Sequence, residues 1–586
     1  MRTWKNFCLS IFVAGALAGV ATAQTQTADQ TQPQTGTTAA GPVTTVNQAV
    51  DRIVAREHDE IATIRRFNPI IETYIQDMKP DKDMGAVPVR DHYFLGQANL
   101  SKGVVDASML SNKKKNSKFD EFNPISHLSG LFGSSYVPEG FLQMIYLDTN
   151  GFDRQHYQFD YVRREFLGDV RCVVFDVTPL PKSGKGRFKG RVWAEDQGYT
   201  IVRFNGVYTP LAGLNGFNLH FDSWRMNLQA GLWLPSYVFS QESDLKDFLG
   251  NHVHFKSQTR LWGYDLKSVG HEEEFSELTI ESPTAIQDQA TAQAQDRSPI
   301  EAEREWQHQA ETNVLDRLQR VGLLAPPGDV DKLLETVVNN LEVTNNIDIE
   351  PEVHARVLLT GTLESFSIGH TIVISRGLLD VLPDEASLAT MLAQELANII
   401  VTKPSTDQWG FNDTTNVSTV EALSHFTFRD SPDQVTVASQ KAAELLKNSP
   451  YKDKLGTAGL FLKQLDAQSK NLPALINAHL GNGVVLAGQL MTGAPALQPD
   501  KLDQITALPI GGRIKVDPWD DHVELLKSKP VPLYSGREKM PFEVTPFMPF
   551  LTRYTKSGSG VTADPAKADL AKKDSQQPQQ QQPQPQ

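Results

Sequence analysis

The 586-residue sequence predicts an α+β protein with two folded blocks: an N-terminal curved antiparallel sheet with a helix, then a mainly helical block with a small sheet. Three observations carry this. Segments rich in Gln, Thr, Ala and Pro, with no apolar period, divide the chain. The first block alternates apolar and polar residues with period two, and the second repeats apolar residues at helical spacing. The boundaries read 24–42 as a disordered linker, 43–281 as the sheet block, 282–299 as a linker, 300–554 as the helical block and 555–586 as a disordered Gln/Pro tail.

Residues 1–23 have the layout of a secretory signal peptide. Arg2 and Lys5 form a charged start, Phe7–Val20 is apolar, and Ala21-Thr22-Ala23 is a small-residue cleavage site. The apolar run is shorter than the roughly 20 residues that span a bilayer. The expectation is an exported protein, periplasmic or extracellular, that is not integral to a membrane. Cleavage leaves Cys172 as the only cysteine, so no internal disulfide is expected. The net charge of −14 argues against nucleic acid as a partner.

The first block opens on a helix, with Val46, Ala49, Ile53, Ile61 and Ile64 on one face. From about Tyr93 the pattern is strand-like. His156–Val162, Val170–Val177, Arg187–Trp193, Tyr199–Phe204, Asn218–Met226 and His252–Ser257 alternate, with Gly and Asp turns between them. Cys172 lies in such a run and reads as core. The phrase from Arg187 to Arg203 resembles the LolA/LolB-like lipoprotein-sorting half-barrel over about Tyr93–Leu266. That resemblance implies a sheet curved around a helix and a concavity for acyl chains, hence lipid or lipoprotein as one partner class.

In the second block, Leu315, Leu318, Val321 and Leu324 form one apolar stripe, and Val330, Leu333, Leu334, Val337 and Val338 another. Strands follow at Arg356–Thr360 and within Phe366–Ile374. A helix begins at Arg376, and a second opens behind Pro383-Asp384-Glu385. Pro530–Pro549 is expected to wrap the surface of this block.

Within that second helix stands Gln394-Glu395-x-x-Asn398. The zincin pattern H-E-x-x-H places two imidazoles one helical turn apart with a glutamate base between them. Here the base position survives as Glu395, and neutral amides hold both ligand positions. The surrounding stretch, Glu364–Leu379 followed by Pro383–Ala393, is similar to the M48 zinc metallopeptidases over about Leu315–Leu465. The resemblance implies a zincin-like fold and a third zinc ligand on a later helix, where alignment puts Val437, with Ser439 at the aspartate that follows. It also implies a substrate-binding edge strand at Thr371, Val373 and Ser375.

A carboxamide is a poor zinc ligand and valine is none. Without the ion there is no Lewis acid and no water with a pKa near ~7. His370, His425, His479 and His522 show no metal spacing. The first expectation is therefore a pseudo-peptidase that binds peptide or protein segments in the cell envelope, with no cofactor. The alternatives are an active M48-type metalloendopeptidase holding zinc through non-standard ligands, and a lipid or lipoprotein carrier acting through the first block.

Overall fold

A computed structural model describes residues 45–81, 85–108, 138–209, 220–246, 252–266, 299–401, 428–484, 488–491, 494–495, 514–516, 523–525, 544 and 549–554. The expected signal peptide, the 24–42 linker, the second linker up to residue 298 and the 555–586 tail lie outside the described residues, as do His425 and His522. The fold is mixed α and β: a ten-stranded antiparallel sheet, a small mixed sheet and several helices.

The first helix, α1 (Val46–Ile64), buries Ala49, Val50, Ile53, Ile61 and Ile64, as its spacing requires. Three strands follow it: β1 (Ile70–Asp81), β2 (Gly85–Asn99) and β3 (Val104–Ser108). A short helix, α2 (Pro138–Leu142), precedes seven more strands. These are β4 (Tyr157–Leu167), β5 (Val170–Pro179), β6 (Phe188–Glu195), β7 (Ile201–Tyr208), β8 (His220–Gln229), β9 (Leu232–Lys246) and β10 (His252–Trp262). Their order is β3-β2-β1-β10-β9-β8-β7-β6-β5-β4, so each strand from β4 to β10 pairs with its sequence neighbour, and β1 joins the two ends of the chain order.

Both faces of this sheet are covered. On one, Arg225 donates two 2.7 Å bonds to the Glu57 carboxylate of α1. Phe188, Phe204 and Phe221 pack edge to face beside that pair. Tyr208 ties residues 143–146 down by donating to the Gln143 and Tyr146 carbonyls. On the other face, Cys172, Val174, Trp193, Trp224 and Trp233 form a core cluster with Val544 and Leu551. Cys172 is fully buried and packs as a small hydrophobe.

Residues 544 and 549–554 form a strap. Val544 N–H donates to Gln76, the Leu551 carbonyl accepts from Asp169 N–H, and Arg553 pairs with Glu195 at 2.6 Å. The described part of Pro530–Pro549 thus contributes to the first sheet, not to the surface of the second block. Its apolar anchors Val544 and Leu551 pack into the buried cluster on the Trp193 and Trp224 face.

The second block packs α3 (Pro299–Val321) and α4 (Asp329–Thr344) around a four-stranded sheet. Its strands are β11 (His354–Leu358), β12 (Glu364–Ile368), β13 (Thr371–Ser375) and β14 (Asn482–Gly483), in the order β11-β13-β12-β14. After α5 (Arg376–Val381) comes the central helix α6 (Glu385–Val401), which is buried from Ala386 to Asn398. Asp384 starts it by accepting from Ser387 N–H at 2.8 Å. Helices α7 (Pro432–Lys447), α8 (Leu455–Ser469) and the single turn α9 (Pro473–Ile476) complete the layer. Ile514–Val516 and Val523–Leu525 pair as a separate ribbon.

The sheet order corrects one expectation. Thr371, Val373 and Ser375 lie on β13, which is paired on both sides and buried throughout, so this strand is not an edge. The strand beside α6 whose outer side is only partly paired is β12.

The two blocks are joined by buried polar contacts. The Glu72 carboxylate on β1 accepts from Tyr93, from Arg260 and from the N–H of Gly361 in the second block. Asp91 on β2 accepts from the N–H groups of Ala474 and Leu475, and Trp262 donates to the Gly322 carbonyl at 2.8 Å.

The strap is testable through Cys172. In a chain carrying Cys8→Ser, Cys172 is the only thiol. Leu551→Ala should cost about 2–5 kcal/mol, the usual range for emptying a buried leucine site. It should also accelerate native-state labelling of Cys172 by a thiol reagent. Labelling as slow as in the parent chain would show that the strap does not guard this core.

Candidate functional site

The candidate site lies where α6 crosses under β12. Ser365 on β12 points down at α6, and its hydroxyl donates to Glu395 Oε1 at 2.7 Å. One helical turn along, Asn398 Nδ2 donates to Glu395 Oε2 at 3.0 Å. The carboxylate is 1% exposed, and burial pushes its pKa up from 4.5 to about 7. The bond from Ser365 works against that shift, and the nearby Asp430 carboxylate adds to it. Asp430 is itself raised by burial and is clasped by Asn482, which accepts from Asp430 N–H at 2.9 Å and donates to Oδ2 at 2.7 Å.

Gln394 is also engaged. Its Oε1 accepts from the Ser439 hydroxyl on α7 at 3.0 Å. Of the two amides at the ligand-like positions, Gln394 is thus bonded through its oxygen across to α7, and Asn398 through its N–H₂ along its own helix. Asn398 Oδ1 is buried with no partner. A cavity of about 20 Å³ adjoins Glu395, lined among others by Ser365, Gln394, Val435 and Asn482. It has room for about one water.

Val435, rather than Val437, is the α7 side chain that reaches this cavity. Val437 is 52% exposed. Two residues on a helix are about 200° apart, so the two valines face opposite ways, while Val435 and Ser439, four apart, share a face. Ser365, Asp430 and Asn482 are members of the site that sequence reasoning did not pick out. Ser365 could have been found as the polar residue of the strand preceding the motif helix. Nothing local marks Asn482, which arrives from more than 80 positions later in the chain.

The strand position next to β12 is occupied by the chain itself. β14 pairs antiparallel with it, Glu364 opposite Gly483 and Ser365 opposite Asn482. Glu364 Oε2 accepts from the backbone N–H groups of His479, Leu480 and Gly481 at 2.8–3.0 Å. The Leu475 carbonyl accepts from Leu363 N–H.

The donor set does not fit zinc. Glu395 is the one carboxylate of the motif, its neighbours in the motif are amides, and the facing helix presents valine and serine. Among the described residues no three His, Cys, Asp or Glu side chains gather in metal-binding geometry.

The raised pKa carries a stability consequence. A carboxyl whose folded-state pKa is raised favours the folded state most below its unfolded value, and this contribution is lost as pH climbs through the folded value. The window here runs from about pH 4.5 to about 7. A shift of that size corresponds to roughly 3 kcal/mol at full ionisation. Glu395→Gln removes the charge and offers an N–H₂ that a turned Asn398 can accept. The variant should be more stable than the parent at pH 8, by up to roughly 3 kcal/mol, and nearly equal at pH 4.5, where the parent carboxyl is protonated. Urea unfolding midpoints at the two pH values check this; a variant that is less stable at pH 8 contradicts it.

No family model matches this chain, and no curated protein matches it. Among solved structures, a LolA superfamily protein from Nitrosomonas europaea is similar at 13% identity, over 38% of this chain and 92% of its own, with a TM-score of 0.20. A score that low gives the likeness no bearing on function.

Proposed function

We propose that this chain is an exported protein whose second block has an M48-peptidase-like, zincin-like scaffold and does not hydrolyse peptides. It acts by binding peptide or protein segments in the cell envelope. One observation carries the reading: the helix that keeps a glutamate at the base position has only carboxamides at the two ligand positions, with Gln394 Oε1 bonded to Ser439 and Asn398 Nδ2 bonded to Glu395. A zincin presents imidazoles at those positions, and a neutral carboxamide is a poor substitute. Glu395 can accept a proton, but a carboxylate alone neither activates water strongly nor polarises a scissile carbonyl.

The partly filled strand position next to β12 supports the same reading. Strand addition is how an extended peptide would enter such a cleft. Here the first two residues of β12, Glu364 and Ser365, are already paired with β14, and Glu364 fastens that segment. A partner therefore binds elsewhere on the molecule or displaces this segment. The carrier reading is set aside because aromatic side chains, α1 and residues 143–146 pack the sheet face where acyl chains would lie.

The test is hydrolysis of an unfolded protein such as reduced casein by the purified chain, with and without added zinc. The expected result is no cleavage above background in either case, and no difference between the parent and Glu395→Gln. Zinc-dependent cleavage that disappears in Glu395→Gln would establish the peptidase instead.

A further inference from the structure

Strand β4 closes one end of the ten-stranded sheet, and among the described residues no strand pairs with its outer side. Such an edge offers a row of backbone N–H and C=O groups that another strand matches residue by residue. Two of its aromatic side chains are open to solvent, Tyr161 at 48% and Phe166 at 66% exposure.

The strand carries a bulge. Tyr161 stands opposite Phe175 of β5 and Arg163 opposite Val174, so Val162 is one residue more than β5 matches. The bulge changes which side chains share a face. Gln158, Asp160, Arg163 and Glu165 stand opposite Thr178, Asp176, Val174 and Cys172, which are alternate residues of β5. Tyr157, Phe159, Tyr161, Arg164 and Phe166 stand opposite the other alternate set, from Pro179 to Arg171. Alternate residues of a strand lie on one face. Asp160 and Arg163, three apart in sequence, therefore point the same way.

Asp160 is poorly served within its own sheet. It lies opposite Asp176, a like charge, and Asp176 already holds Arg191 at 2.7 Å. The Gln158 amide donates to it at 3.0 Å. Arg163 donates to Glu165 at 2.6 Å, and its guanidinium keeps further N–H groups for a second carboxylate.

We infer that β4 is a self-association surface whose partner is β4 of a second copy of this chain, paired antiparallel about a two-fold axis between Tyr161 and Val162. In a two-fold pairing, residues that meet must lie on the same strand face. This register sets Asp160 opposite the partner's Arg163, and by symmetry Arg163 opposite the partner's Asp160. Phe159 meets the partner's Arg164, Gln158 the partner's Glu165, and Tyr157 the partner's Phe166. All of these pairs share a face. They join opposite charges, a ring with a guanidinium, an amide with a carboxylate, and two aromatic rings. In a regular strand, residues three apart point to opposite faces, so the bulge is what makes the strand complementary to itself. Charges on an edge turn foreign strands away. Here they are ordered to accept the strand's own copy, which gives the edge one preferred occupant.

The test is sedimentation velocity of the signal-free full chain over a range of concentrations. A reversible monomer–dimer equilibrium is expected. Asp160→Arg and Arg163→Asp each turn two symmetric attractions into repulsions, and each should weaken the dimer by about 10-fold or more. The double variant Asp160→Arg with Arg163→Asp restores opposite charges in the same register and should return the dimer to near parental strength. Recovery in the double variant also shows that the single variants fold. Monomer alone at concentrations up to about 0.2 mM overturns the proposal. So does a dimer indifferent to the single substitutions, or a double variant no stronger than they are.

Discussion

The Glu364 carboxylate organises the second block. It is buried, and it takes three successive backbone N–H groups on one oxygen and the Thr362 hydroxyl on the other. A carboxylate so deep is tolerated only when its lone pairs are satisfied, and here backbone supplies nearly all the donors. The arrangement holds residues 479–481 against β12. From that follow the pairing of β14, the placing of Asn482 at Asp430, and the roof over Glu395. Glu364 is one residue from Ser365, so one strand carries both the clamp and the hydroxyl that meets the motif glutamate.

The same return segment links the halves of the molecule. Its start is fixed by Asp91 from the first sheet, and its His479 ring stacks on Tyr93 at 4.6 Å. Tyr93 also donates to Glu72, which reaches Gly361. Acceptors from the first sheet therefore meet backbone donors from the second block at two places. Polar joints of this kind fix geometry more than they add stability, because each bond replaces one made to water.

Much of this was legible in the sequence. The alternation from His156 to Ser257 marked six of the seven strands β4–β10 and passed over β9, Leu232–Lys246. The helix opened by Asp384 was readable from its cap and its apolar stripe. Strand β1 was not, since Glu72, Tyr74 and Gln76 on one side of it serve the interface and the strap, so neither face reads as plainly polar. The edge-strand expectation for Thr371–Ser375 failed because pairing partners come from distant sequence, and no local pattern says which of two short apolar strands lies inside. In the site, Glu395, Gln394 and Asn398 were visible from spacing alone. The Val435 for Val437 difference is an error of helix phase. Asp430 and Asn482 join through tertiary contact only.

The strap carries a consequence for how the molecule is made. Val544 closes onto Gln76 across 468 positions, and Tyr554 onto Asn227 across 327. The outer core of the first sheet, though encoded early, lacks this cover until residues 544–554 have been synthesised. Contacts this remote in sequence form late and slowly. Trp224, Trp233 and their neighbours thus remain a sticky, half-finished surface during biogenesis, the kind of surface that chaperones engage.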